Sequence, residues 1–322
     1  FGPSALYQNT TGSNNFAAGS GALQNNVLGS NNIAMGPGSL HCAFAGNGNF
    51  AAGQCALYCN ASGCNNISIG SYTLMNNISG NNNVAMGYGA LILNNGSNNF
   101  AVGYSALNCN TTGYNNVAIG SHALGGNAIG YDNFAVGNCT LYNNTCGLHN
   151  IAVGAMAMMC NTTGCNNVAQ GYYTLYASNN GCNNFASGYS AMMCNQCGSH
   201  NFAAGYWALK QNSSGCSNFA QGYYSLFNNT CGCNNFAQGY YSLLCNNSGS
   251  NNFAVGFAAM GLNMFGTNNI AIGCQAIKCN TPAGSYNIGL GLCATFNGGM
   301  YNIGIGCQAG AMATLSLIHI SE

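Results

Sequence analysis

A large apolar residue, a small one and a second residue that is usually apolar recur as a triplet about every 17 residues along this chain. Phe16-Ala17-Ala18, Ile33-Ala34-Met35, Phe100-Ala101-Val102 and Ile151-Ala152-Val153 are examples, each preceded by Asn or its stand-in plus Asn and followed by Gly. Glycines that open the unit stand at Gly12, Gly29, Gly46, Gly63 and Gly80, and then from Gly96 to Gly266 in steps of 17. One unit, from Gly80 to Gly96, is 16 residues long, and the last begin at Gly284 and Gly299 after steps of 18 and 15. Numbered from its glycine, the unit reads Gly-x-Asn-Asn-Φ-Ala-x-Gly-Tyr-x-Ala-Leu-x-x-Asn-x-Thr, where Φ is Phe, Ile or Val. A repeat this short cannot hold two helices and a turn. Its apolar triplet, bounded by Asn and Gly, has the punctuation of a strand.

The pattern therefore predicts an all-β protein, a parallel β-solenoid of about eighteen turns with 17 residues per turn. Columns 5 to 8 are expected to form one strand and columns 10 to 13 a second, with columns 15 to 17 as the return turn. The apolar residues of columns 5 and 12 are expected to supply the core. Column 8 Gly suits a corner that needs positive φ or close backbone approach.

Column 4 is Asn in every unit. Stacked turns would place Asn15, Asn32, Asn49, Asn66, Asn83, Asn99, Asn116, Asn133, Asn150, Asn167, Asn184, Asn201, Asn218, Asn235, Asn252 and Asn269 in one amide ladder. Columns 6 and 8 are small and column 7 is often apolar, so both strand faces are constrained. That predicts lateral self-association on one of them. Residues 1–314 read as one continuous array, with residues 1–11 as the end of a preceding unit. Residues 315–322 (LSLIHISE) break the pattern and resemble a translated sequencing-library adapter.

Charge narrows the functional classes. The formally charged side chains are Asp132, Lys210, Lys278 and Glu322, in 322 residues. A basic surface for nucleic acid cannot be built from two lysines. No apolar run reaches the length of a membrane helix. Paired carboxylates for glycoside hydrolysis, or a Ser-His-Asp set, would both depend on Asp132. Asp132 occupies a column normally filled by Asn, so it reads as a turn residue. His149 and His200 occupy the same column three turns apart and read likewise. The expectation is a protein that is not an enzyme and uses no metal or other cofactor.

Twenty cysteines and many Asn-x-Ser/Thr triplets point to an oxidising, extracellular setting. Neighbouring turns bring Cys42 to Cys59, Cys165 to Cys182 and Cys216 to Cys233, all candidate disulfides by spacing. Cys59 with Cys64, and Cys160 with Cys165, are alternatives, as are packed thiols. Candidate N-glycosylation sites are Asn60, Asn110, Asn143, Asn161, Asn212, Asn228 and Asn246. Tyrosines recur in columns 9 and 10, from Tyr172-Tyr173 through Tyr240-Tyr241, as a ladder or as a strip that stacks on sugars.

The string Gly-Ser-Asn-Asn-Phe-Ala-Val-Gly-Tyr-Ser-Ala-Leu at 96–107, followed by Asn110-Thr111-Thr112-Gly113, resembles the head repeats of trimeric autotransporter adhesins. It is more similar still to the 17-residue relatives in phage-tail-fibre-like and surface-fibre proteins. The resemblance spans about residues 2–310. It implies a left-handed β-roll, often trimeric, with a binding or structural role outside the cell. Two functional expectations follow. The first is a structural segment of an extracellular fibre or filament, its partner a second copy of itself, laterally or end to end. The second is an adhesin or viral receptor-binding fibre on a virion or cell surface, with glycans as partners. An ice-binding solenoid is a third, weakened by the irregular column 17.

Overall fold

A computed structural model of the chain describes residues 2–278, 284–294 and 299–309, together with the backbone of 318–320. Cys279, Glu322 and the remainder of the 315–322 tail lie outside the described residues. The chain forms two compact units, Phe1–Thr163 and Gly164–Glu322. Each is a parallel β-solenoid. In the first, three-residue strands run from Phe16–Ala18 to Ile151–Val153, one per repeat. The second carries strands from Val168–Gln170 to Ile303–Ile305, and Ile318–Ile320 adds a further one.

Like residue lies on like residue. Phe100 pairs with Val117, Val117 with Phe134, and Phe134 with Ile151. In the second unit Phe185 pairs with Phe202 and Phe202 with Phe219. Irregular repeats do not slip this register. Across the 16-residue unit Val84 still pairs with Phe100, because the return turn is shortened. There Asn94 reaches the Gly96 carbonyl two residues on, where Asn110 reaches Gly113 three residues on. Across the long and short steps Ile270 pairs with Ile288, and Ile288 with Ile303.

The strand's orientation corrects the expected core. Column 5 does not face inward; Phe16, Ile33, Phe100, Phe134 and Ile151 are exposed. The buried strand residue is the column-6 Ala, as at Ala101, Ala118 and Ala135. Side chains alternate across a strand. Once the column-4 Asn points inward, column 6 must follow it, and columns 5 and 7 must point out. Opposite the Ala lies the column-12 Leu, fully buried at Leu107, Leu124 and Leu141. The interior is narrow, and Ala against Leu fills it.

Columns 10 to 13 are not a second strand. Columns 11 and 12 are both buried, as in Ala123-Leu124, which strand alternation cannot achieve. The chain instead curls, with positive φ at columns 10 and 12: 58° at His122 and 52° at Leu124. It still bonds to the next turn, the Leu107 N–H donating to the Ala123 carbonyl at 3.0 Å. A left-handed residue costs about 1–2 kcal/mol, comparable with the roughly 1.5–3 kcal/mol that burying a leucine contributes. The leucines alone therefore do not hold a turn closed.

Column 8 needs glycine on both counts anticipated for it. Gly120 has φ of 134°, and a Cβ there would lie 2.4 Å from the Gly137 carbonyl oxygen. Column 3 is the other left-handed position. It accepts Asn readily, and Gly48, Asp132, His149 and His200 stand in for it with φ of 54–66°.

Candidate interaction surface

Two amide ladders define which faces of the solenoid remain available. In column 4, the Asn116 Nδ2 donates to Asn99 Oδ1 at 3.2 Å and to the Gly130 carbonyl at 2.8 Å. Its own Oδ1 accepts the Asn133 backbone N–H and the Asn133 Nδ2, both at 3.1 Å. Both amide hydrogens and both oxygen lone pairs are thus satisfied, which a buried carboxamide requires. The same contacts run from Asn49 through Asn66, Asn83 and Asn99 to Asn150 in the first unit. In the second they run from Asn184 through Asn201, Asn218, Asn235 and Asn252 to Asn269. The Asn15 Oδ1 accepts the Asn32 N–H, and the Asn167 Oδ1 accepts from Asn184.

Column 15, expected in the return turn, forms a second ladder. Asn127 Nδ2 donates to Asn110 Oδ1 and to the Gly130 carbonyl, each at 2.9 Å. Gly130 therefore receives one amide from each ladder. A Cβ on it would lie 2.4 Å from Asn127 Oδ1, so column 1 is glycine because there is no space. The recurrence of Asn in column 15 was the visible signal.

This ladder buries five of the glycosylation candidates in the folded protein. Asn60, Asn110, Asn161, Asn212 and Asn246 are column-15 residues with no exposed surface. Asn143 is exposed and Asn228 partly exposed, one position earlier.

The cysteine candidates also read differently in place. Cys42, Cys59, Cys182, Cys216 and Cys233 are thiols. In column 2 the sulfur fills the role that Ser and Asn fill on other turns, accepting the backbone N–H of the turn before. Ser30 Oγ accepts from Ser13, Asn47 Oδ1 from Ser30, and Cys64 Sγ from Asn47. In the same way Cys182 Sγ accepts from Cys165 at 3.2 Å and Cys233 Sγ from Cys216 at 3.1 Å. Where column 2 holds Ser, Asn or Cys, its side chain supplies this acceptor, and sulfur serves as well as oxygen. Column-14 Cys42 and Cys59 have no such role; they share a column on adjacent turns, where the Cys42 backbone N–H donates to the Tyr58 carbonyl at 2.8 Å.

The outward strand positions of the first unit are apolar. In the first unit column 5 carries Phe, Ile and Val, and column 7 carries Ala, Met, Ile and Val. Ile67, Ile69, Ile119, Ile151 and Val153 are among the exposed ones. No charged residue occupies either column. In the second unit the column-5 rings of Phe185, Phe202, Phe219, Phe236 and Phe253 stack at 4.6–5.0 Å. Beside them column 7 turns polar, with Gln170, Gln221 and Gln238 exposed.

Column 9 of the second unit is a further ring stack. Tyr189, Tyr206, Tyr223 and Tyr240 follow one another at 4.8–5.2 Å, nearly parallel, with Tyr172 and Phe257 at the ends. Within the stack each ring face is covered by its neighbour, so a sugar cannot lie flat on it. Column-10 partners are engaged as well. Burial, with a hydrogen bond to Tyr223, pushes the Tyr224 phenol up to about 12. Hydrogen bonds to Tyr173 and Tyr241 raise the Tyr172 and Tyr240 phenols. The Lys210 ammonium sits 4.0 Å above the Trp207 ring.

Asp132 behaves as the turn residue it replaces, accepting from Asn115 Nδ2 at 3.0 Å, with His149 Nδ1 3.7 Å away. Among the described residues, three or more metal-binding side chains nowhere converge, and no helix is long and apolar enough to cross a membrane. Compared with known proteins, the chain matches no family and no curated protein.

Proposed function

We propose that the chain is a non-catalytic structural protein, a segment of an extracellular fibre or filament that associates laterally with further copies of itself. The observation that carries this reading is the uncharged outward row of columns 5 and 7 in the first unit. Phe16, Ile33, Met35, Ile67, Ile69 and Phe100 lie along it exposed. Extended apolar surface of this kind marks interaction sites on folded proteins. A second solenoid offers a matching row at the same inter-turn spacing, so contacts made by one turn repeat on every turn. Near-zero net charge leaves no repulsion to oppose close approach. The exposed acceptor Asn143 in the first unit and the partly exposed Asn228 in the second would carry glycans away from columns 5 and 7, compatible with the extracellular face of a cell or virion.

Sedimentation velocity and negative-stain microscopy of the full chain test this. Concentration-dependent bundles are expected. A monomer at every concentration would contradict it.

A receptor-binding role, as an adhesin or viral fibre, is the second reading. The exposed Tyr and Gln rows of the second unit favour it, because such residues supply adaptable polar contacts.

A further inference from the structure

Of the column-14 cysteines in the described structure, Cys42 alone follows a histidine. His41 Nδ1 lies 3.3 Å from Cys42 Sγ. On the far side of the ring, His41 Nε2 lies 3.1 Å from Gln24 Oε1 on the preceding turn. An amide oxygen only accepts, so Nε2 carries the proton, and Nδ1 presents its lone pair to the thiol. Tyr58 on the following turn stacks on the imidazole at 4.8 Å and holds its plane. Gly21 makes room, since a Cβ there would lie 3.3 Å from His41 Cδ2 and from Gln24 Oε1. The Asn25 amide also points at the sulfur, with Nδ2 at 3.9 Å.

We propose that Cys42 is an activated nucleophilic thiol, with His41 as its base, Gln24 as the orienting group and Cys59 as the resolving thiol, and that its substrates are small-molecule disulfides. Nucleophile, base and orienter in hydrogen-bonded sequence is the arrangement that activates a cysteine. The Cys42 proton passes to His41 Nδ1, and the thiolate attacks one sulfur of the disulfide. That S–S bond breaks, and the departing thiolate takes the proton back from the imidazolium. Cys59, in the same column one turn on, then attacks the mixed disulfide and releases the second small thiol. One small disulfide and two protein thiols thus become one protein disulfide and two small thiols. Burial, then the neighbouring Cys42, raises the Cys59 thiol, as suits a group that reacts second. The titratable groups around the site are Cys55, Tyr58 and Cys59. The turns packed against it carry no Asp, Glu, Lys or Arg.

The chain supplies its own control. Cys109 occupies the same column, is more exposed, and follows Asn108. The full chain is incubated with glutathione disulfide at pH 7, and each cysteine is followed by peptide mass spectrometry. Cys42 is expected to react at least about tenfold faster than Cys109, in the range that a positioned base provides. The product should be a Cys42–Cys59 disulfide. Cys59→Ser should stop the reaction at the mixed disulfide on Cys42. His41→Gln should bring Cys42 within about threefold of Cys109 and move its pH–rate profile toward that of an ordinary thiol. Should His41→Gln fail to fold, judged by circular dichroism, Gln24→Ala removes the orienting group and should lower the rate in the same direction. Equal rates at Cys42 and Cys109, or a Cys42 rate indifferent to both substitutions, would overturn the proposal.

Discussion

The carboxamide oxygen of Asn116 accepts two hydrogen bonds from Asn133, one from its backbone N–H and one from its side chain, each at 3.1 Å. That pair is the unit from which both solenoids are assembled. A backbone donor is tied to the side chain of the turn before, so the register of the stack and its polar interior are fixed by one contact.

Asn116→Ala should be among the most damaging single substitutions. It removes the acceptor of the Asn133 donors and one donor to each of Asn99 and Gly130. An orphaned buried polar group costs about 1–3 kcal/mol. A loss of roughly 2–5 kcal/mol is therefore expected by urea denaturation. Asn143→Ala, on the exposed surface, should cost less than about 0.5 kcal/mol.

Ala43→Asn should stabilise the protein. Ala43 interrupts the column-15 ladder, and the Asn26 Oδ1 beside it is buried without a hydrogen-bond partner. An Asn at 43 would donate to that oxygen and to the Gly46 carbonyl, as its counterparts do on other turns. A gain of about 1–2 kcal/mol is expected by denaturant titration. No change, or a loss, would mean that the site cannot hold the amide.

Gly120→Ala should prevent local closure of the first unit. The φ of 134° is foreign to an L-residue, and the added methyl would meet the Gly137 carbonyl at 2.4 Å. A destabilisation of more than about 3 kcal/mol is expected, seen as rapid amide exchange from Val117 to Phe134.

Stability should decline in alkali. Tyr224 ionises near 10.0 in an unfolded chain and at about 12 in the folded one. A raised phenol value favours the protonated, folded state. Its contribution is complete below pH 10 and is lost as pH rises toward 12. Tyr224→Phe should flatten that part of the profile, followed by thermal melts between pH 9 and 12.

Ile67→Lys with Phe100→Lys should leave folding intact and abolish lateral association. Both side chains point outward and are exposed, so each change is expected to cost less than about 1 kcal/mol of stability. Circular dichroism unchanged and sedimentation shifted to the monomer is the expected pair of results. Bundles that persist would place the contact on another face.

Much of this is legible in the sequence. The period, the parallel stacking and the column-4 ladder follow from the recurrence of Asn and Gly. The strand's orientation is not legible from apolar character, because Phe and Ile are more apolar than Ala and yet face outward. Restriction was the better guide. Column 5 accepts Phe, Ile or Val, and column 7 accepts residues as different as Ala, Val, Ile, Met and Gln, whereas Ala118 and Ala135 repeat an almost fixed column 6. A narrow interior tolerates one size. The turn at columns 10 to 13 was hidden for a different reason, since leucine with positive φ has no sequence signature. The Cys42–His41–Gln24 contact spans turns and became visible only once they were stacked.

Hydrogen exchange of side-chain amides, read by NMR residue by residue, tests the stacked interior most directly. The Nδ2 protons of Asn116 and Asn133 should exchange at least about a hundredfold more slowly than those of Asn143. Exchange of Asn116 at the rate of Asn143 would mean that the amides are in water and that the turns do not stack as described.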